Sequence, residues 1–469
     1  MIRTLCSLFL ILIVFSKSVA QIGIGAMPHP SAALDLNATD KAFYPPRVTT
    51  AQRIAIENPQ AGAFVYDTDK GRMYLYDGQN WYPLTIETNG AHPLLDRFAS
   101  DRTQQEYFGR SVAIDGNYAI IGAIGNPLNK GNAYIFVREG NTWIEQAVIS
   151  LSDGQNYDNF GMSVSISGGS VVVGASSKTV IGDNNALNYN QGVAVVFVRS
   201  GATWTQQAVL SGSDGALNDS FGTSVCIKGT DIIVGAPYKN EGKGQAYLFT
   251  LQNSEWTEKA ILKDEQGTSY AQFGFSVCIS GDYAIVGEPY INNGVNVVKG
   301  KAFVYNRSGT TWSLQSELTN SYGTSMGNFG NSVLITDKYA VVSSPNESYN
   351  SGIVRIYRKD GTNWYEYPEL RNNSGIPNFN FGKSISIFDD YLLIGSQLND
   401  GLAEFDTGRV YLYKLDEYYW KLEKQFSNSS PPASNFGSSV GISGSSFIIG
   451  SYGFDNYKGK VSFGTMDTF

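Results

Sequence analysis

The chain has 469 residues, with 51 Gly, 29 Tyr, 25 Phe and 7 Trp, and only 16% of it is charged, against roughly 25% in an ordinary soluble domain. A formal net charge of −8 argues against a broad nucleic-acid surface, and two histidines, His29 and His92, leave little for a His-based metal centre or a Ser/His triad. Such a composition points to β-structure with tight turns, in two or three domains or one large repeat array.

Residues 1–20 read as a secretory signal peptide. Arg3 precedes an apolar run from Leu5 to Phe15, and Ser18-Val19-Ala20 places small residues before a cleavage site at Gln21. The run is too short for the about 20 apolar residues of a membrane anchor. Cys6 stands at its front, so no lipoprotein box is present. The expectation is a secreted or cell-surface protein without a membrane span.

Residues 21–90 form a small mixed N-terminal module. Gln21–Ala26 and Ser31–Leu36 are extended, Thr49–Glu57 is a helix capped by Thr49 or Thr50, and Phe64–Tyr66, Met73–Tyr76 and Trp81–Leu84 are strands. The strings Pro45-Pro46-Arg47-Val48-Thr49-Thr50-Ala51-Gln52-Arg53 and Tyr74-Leu75-Tyr76-Asp77-Gly78-Gln79-Asn80-Trp81 resemble a head module of secreted Bacteroidetes-type surface proteins. They are also similar to pieces of phage tail fibres. The resemblance implies surface display and no chemistry.

From residue 91 the chain repeats. Phe-Gly recurs at 108–109, 160–161, 221–222, 273–274, 329–330, 381–382 and 436–437. A serine follows each time: Ser111, Ser163, Ser224, Ser276, Ser332, Ser384 and Ser439. Thirteen residues after each Phe-Gly glycine stands Gly122, Gly174, Gly235, Gly287, Ser343, Gly395 or Gly450. A third glycine and, twelve residues on, a tryptophan in all but the last copy complete the unit. The intervals between second and third glycines are 9, 18, 9, 13, 9, 13 and 9, so nearly all length variation falls there. A segment that varies while the rest holds register is a surface loop on a rigid frame.

Each unit reads as four short strands, in the first copy Ser111–Ile114, Tyr118–Ala123, Ala133–Val137 and Trp143–Leu151. The fold class is all-β, a seven-bladed β-propeller of four-stranded blades over 91–469. The last copy stops after its third strand, and 94–99 is read as the missing outer strand that removes an exposed edge. Phe-Gly followed by a hairpin ending in Val234-Gly235-Ala236-Pro237 resembles the FG-GAP repeat of integrin α-subunit propellers. The resemblance covers about 94–469 and implies a seven-bladed propeller and, more loosely, binding or adhesion.

After cleavage only Cys226 and Cys278 remain, at matching positions of neighbouring copies. They are expected to be buried free thiols that pack, because equivalent strands of adjacent sheets usually lie beyond disulfide reach. Gly437-Ser438-Ser439-Val440-Gly441 fits a hydrolase pattern, but Ser439 is the repeat serine and no histidine follows residue 92.

Integrin-type propellers hold calcium in Asp-rich loops between their first two strands. Here those turns, such as Asp115-Gly116-Asn117 and Ser167-Gly168-Gly169, have too few carboxylates. No cofactor is expected. Calcium is weighed only at Asp153 and Asp158 and at Asp214 and Asp219, where turn formation explains the residues as well.

The loops before strand 1 and after strand 2 share a face. The candidate ligand-binding residues there are Asp183, Asn185, Asn188, Tyr189, Tyr238, Asn292, Tyr349, Asn399, Asp400, Asp406 and Tyr452. Tyr, Asn and Asp suit adaptable contact with a glycan or a protein surface, although exposed loops are polar in any protein. The expectation is a non-catalytic exported binding or adhesion protein. One alternative is a carbohydrate-active hydrolase or lyase using Asp183, Asp400 and Asp406; another is a scaffold that binds nothing.

Overall fold

A computed structural model of the protein describes residues 22–24, 34–36, 45–60, 62–69, 72–76, 81–83, 94–101, 105–125, 130–182, 186–290, 299–320, 327–371, 380–397, 408–416, 419–427 and 434–466. The signal peptide expected at 1–20 lies outside them. The chain divides into two units between Ala91 and His92.

In the first unit Ile22–Ile24 pairs in parallel with Leu34–Leu36. Arg47–Val48, Phe64–Asp67, Arg72–Tyr76 and Trp81–Pro83 form a second sheet. The helix runs from Thr50 to Ile54 and opens with a capping box, in which the Thr49 hydroxyl accepts from Gln52 N and the Gln52 side chain accepts from Thr49 N. It stops short of the expected Glu57. Pro59 bars helical geometry at the residue before it, and Asn58 sits at φ 49. Arg53 docks the helix on the sheet through a buried bond to Asp67, 2.9 Å from Nε to Oδ2, with its guanidinium over the Tyr74 ring.

The second unit is a succession of antiparallel sheets, four-stranded except for the fifth, whose outer strand is split into two pieces, with a small hairpin, Val180–Ile181 and Leu187–Asn188, in the longest loop. In the first, Ser111–Asp115, Tyr118–Ala123, Asn132–Glu139 and Thr142–Ile149 pair in chain order. The same order recurs from the inner strands Phe160–Ser167, Ser224–Lys228, Ser276–Ser280, Val333–Ile335, Phe381–Phe388 and Val440–Ser443. This is β-propeller architecture. Second strands such as Tyr118–Ala123 and Asp231–Ala236 are apolar on both faces and nearly wholly buried, because each sheet is covered by its neighbours. The last sheet takes its fourth strand from Leu95–Arg97, in register Val461 to Arg97 and Phe463 to Leu95. Asp96 reinforces the join by accepting from Lys460 Nζ at 2.8 Å and Ser462 Oγ at 2.6 Å.

The repeat residues interlock the sheets. Every Phe-Gly phenylalanine is buried. Ser111 Oγ donates to the carbonyl of Gly161 in the next copy, and Ser163, Ser224, Ser276 and Ser384 repeat the bond to Gly222, Gly274, Gly330 and Gly437 at 2.8–2.9 Å. The second glycine makes room for it, since a Cβ at Gly122 would overlap both the Gly161 carbonyl and Ser111 Oγ. Where Ser343 replaces that glycine, its own hydroxyl accepts from Ser332 N at 3.0 Å instead.

The inner strands surround an axial cavity of about 330 Å³ lined by Val112, Ile166, Cys226, Cys278 and Leu334 among others. Here the expectation for the cysteines needs correction. Strands converge at the axis, so Cys226 and Cys278 bring their sulfurs to 3.7 Å. Both are free thiols, but half-buried and facing the cavity. The hydrogen bond to Cys226 and burial push the Cys278 thiol well above its usual range.

Candidate functional site

The loop after strand 2 is tied to the segment preceding the next Phe-Gly. Tyr270 N donates to Glu241 O at 3.2 Å, Gln272 N to Gly242 O at 2.8 Å and Phe273 N to Lys243 O at 2.9 Å. Both loop classes therefore lie on one face, on backbone that the sheets hold still. Three of these loops share a left-handed turn, at Asn240-Glu241, Ser348-Tyr349 and Asp455-Asn456.

Three residues beyond strand 2, two of the loops plant a lysine. Lys178 Nζ stands 3.2 Å from Asp153 Oδ2 and 3.4 Å from Asp158 Oδ2, and it donates to Asp153 O at 3.1 Å. Lys239 Nζ stands 2.9 Å from Asp219 Oδ2 and 3.6 Å from Asp214 Oδ1, and it also donates to Asp214 O. Burial pushes the Asp219 carboxyl up, and the Lys239 hydrogen bond pulls it back. Asp158 and Asp219 also close tight turns, accepting from Gln155 N and Ala216 N. The donor set weighed for calcium thus already surrounds an ammonium and does not fit a divalent ion. Among the described residues no three His, Cys, Asp or Glu gather as metal ligands.

The carboxylate that departs most from its ordinary state is Glu288. It occupies the position of Ala123, Ala175 and Ala236 at the end of strand 2 and is wholly buried. Neither oxygen has a hydrogen-bond partner among the described residues. Desolvation, with the charge of Asp264 beside it, pushes its carboxyl up to about 8. Lys301 nearby turns to Glu317, 3.0 Å away.

Of the expected ligand-binding residues, Asp183, Asn185, Asn292, Asn399, Asp400 and Asp406 lie outside the described residues. Tyr189, Tyr238 and Tyr349 are exposed, Tyr349 by 90%. Asn188 and Tyr452 are engaged internally: Asn188 Nδ2 donates to Gln191 Oε1 at 2.9 Å, and Tyr452 Oη accepts from Gln397 Nε2 at 2.8 Å. Tyr238 lines a cleft of about 440 Å³ with Asn190, Asn218, Ser220, Glu241 and Tyr270. Asn190 Nδ2 donates to Asn218 Oδ1 at 3.1 Å across it. Sequence reasoning missed Tyr270 and its counterpart Tyr157, both strongly exposed on left-handed backbone. Their shared place three residues before Phe-Gly was the available signal.

Comparison with known proteins agrees with this architecture. Residues 98–136, 143–197, 204–249 and 256–305 match the FG-GAP repeat. Residues 21–95 match the phage tail like trimerisation region. Integrin alpha-D of Homo sapiens is 24% identical over 192 residues, which span 38% of this chain and 15% of that protein. The chain carries FG-GAP repeats in an integrin α-like fold. No helix among the described residues is long and apolar enough to cross a membrane.

Proposed function

We propose that this chain is an exported, non-catalytic binding protein, a closed seven-bladed propeller whose loop face grips a glycan or a protein. The observation that carries the reading is the cleft of Tyr238, Tyr270, Asn190 and Asn218. Exposed phenol rings beside paired amides are adaptable contact chemistry, held here on backbone that does not have to be ordered on binding. Closure of the ring is supported by Ser439 and Gly109, which join the last copy to the first. Export rests on the leader-like residues 1–20. The match of 21–95 to a trimerisation region supports assembly of three chains, which would present three loop faces together and raise avidity.

The test is a glycan array and a secreted-protein array probed with the mature protein, then with Tyr238→Ala and Tyr270→Ala. Loss of at least about tenfold in affinity in both variants, at unchanged melting temperature, supports the reading. A ligand indifferent to both substitutions removes it. Light scattering on the mature protein reads the trimer directly.

A further inference from the structure

The outer strands carry a hydrogen-bonded relay from sheet to sheet, which is missing after the third copy, where the position is Lys259, and leaves a buried donor unpaired among the described residues after the fifth. Three residues after the tryptophan, three copies hold a glutamine that accepts from the tryptophan of the next sheet. Trp204 Nε1 donates to Gln146 Oε1 at 3.0 Å, Trp256 to Gln207 at 2.8 Å and Trp364 to Gln315 at 3.1 Å. In the fifth copy that position is Tyr367, and the buried Trp420 Nε1 of the sixth has no partner among the described residues. Pro368 follows, and the outer strand is split into Asn363–Glu366 and Leu370–Arg371.

The break opens a cleft of about 730 Å³ on the hairpin side, away from the loop face. That volume is within the about 300–1,000 Å³ of small-ligand sites. Its wall is aromatic: Tyr367 lies 6.5 Å from Tyr339, which is backed by Trp420 at 5.8 Å. Its rim carries Lys338, Arg358, Asp337 and Asp360, none of them ion-paired among the described residues. Lys359, the third cation there, is turned to the Tyr283 ring.

We propose that this cleft binds an acidic saccharide, a sugar bearing a carboxylate. The apolar face of the ring lies on Tyr367, its hydroxyls donate to Asp337 and Asp360, and its carboxylate pairs with Arg358 and Lys338. The guanidinium fork matches a carboxylate bidentately, and Arg358 and Lys338 stand on the rim without an ion pair among the described residues, beside Asp337 and Asp360 as acceptors for hydroxyls. The site is separate from the loop face and does not depend on its ligand.

The test is calorimetric titration of the intact protein with a galacturonate trimer and with the neutral galactose trimer. The acidic trimer should bind at least about tenfold more tightly than the neutral one, and less tightly in high salt. Arg358→Gln and Lys338→Gln should each weaken it by about tenfold, while Tyr238→Ala on the loop face leaves it unchanged. Tyr367→Gln should restore the acceptor for Trp420, raise the melting temperature and abolish binding. No binding of the acidic trimer at about 5 mM, equal affinity for both trimers, or affinity indifferent to Arg358→Gln and Tyr367→Gln overturns the proposal.

Discussion

Ser439 Oγ donates to the carbonyl oxygen of Gly109 at 2.9 Å, across 330 residues of chain. The bond is the same one that Ser111 makes to Gly161, but here it joins the last copy to the first. Arg138 and Ser446 span the same junction, 2.8 Å from Nη1 to Oγ. Removing the hydroxyl in Ser439→Ala should cost about 1–2 kcal/mol. Gly450→Ala should cost more, about 1–3 kcal/mol by overpacking on top of the lost bond, because its Cβ would overlap both Ser439 Oγ and the Gly109 carbonyl. Urea denaturation measures both, and a neutral Ser439→Ala would show that closure does not use this contact.

The segment 94–99 should be as necessary as any strand inside the repeat. Without Leu95–Arg97 the edge of Lys460–Thr465 is bare, and Lys460 and Ser462 lose the carboxylate of Asp96. Deleting 94–99 is expected to lower the melting temperature of the whole second unit and promote aggregation. A deletion variant that melts like the parent would mean the strand is ornamental.

Lys239 holds two carboxylates, the buried Asp219 and the exposed Asp214. Lys239→Met should cost about 3 kcal/mol, since Asp219 is then buried without its ammonium. Asp219→Asn added to it should recover part of that loss. Calcium or a chelator should leave the melting temperature of the unaltered protein where it is. A calcium-dependent rise of several degrees would contradict the assignment of those carboxylates to the ammonium.

Glu288 makes stability depend on pH. Its folded carboxyl titrates at about 8 against an ordinary 4.5, so between these values the native state binds more protons than the unfolded one. Stability is then fully present below about pH 4.5 and declines as pH rises through about 8, by on the order of a few kcal/mol. Glu288→Gln should flatten melting temperature against pH over that window. A slope unchanged by the substitution would place the titration elsewhere.

Much of the second unit was legible because its information is local and repeated. Within each copy Phe108, Ser111 and Gly122 have counterparts at one fixed spacing, with Ser343 once in place of the glycine, and only a structural requirement repeated at each copy produces that. The hairpin turns and strand limits follow within one or two residues. The tryptophans were readable as packing residues, yet not as relay donors, because Gln146 and Trp204 are 58 residues apart and belong to different copies. In the first unit the Thr49 cap was legible from its neighbours alone, whereas the end of the helix depended on the turn at Asn58 before Pro59.

The candidate sites were less legible. Tyr238 and Tyr349 could be assigned to the loop face from spacing, and both are exposed. Tyr452 stands at a comparable place in its loop, yet Gln397 claims its hydroxyl. Lys239 carries no sign in sequence that it will fold back on Asp214 and Asp219.

By itself the sequence determined that this is an all-β array of FG-GAP-like units, where one is strand and one is turn, and which connections vary. Those features follow from alternation, glycine placement and interval, which act within a single copy. Only the tertiary structure decided what neighbouring copies do to each other: the approach of Cys226 to Cys278, the ammonium between the Asp pairs, the desolvation of Glu288 and the broken relay at Tyr367. Each is a contact between segments brought together by sheet-on-sheet packing, and its energy depends on distance and burial that no spacing along the chain encodes.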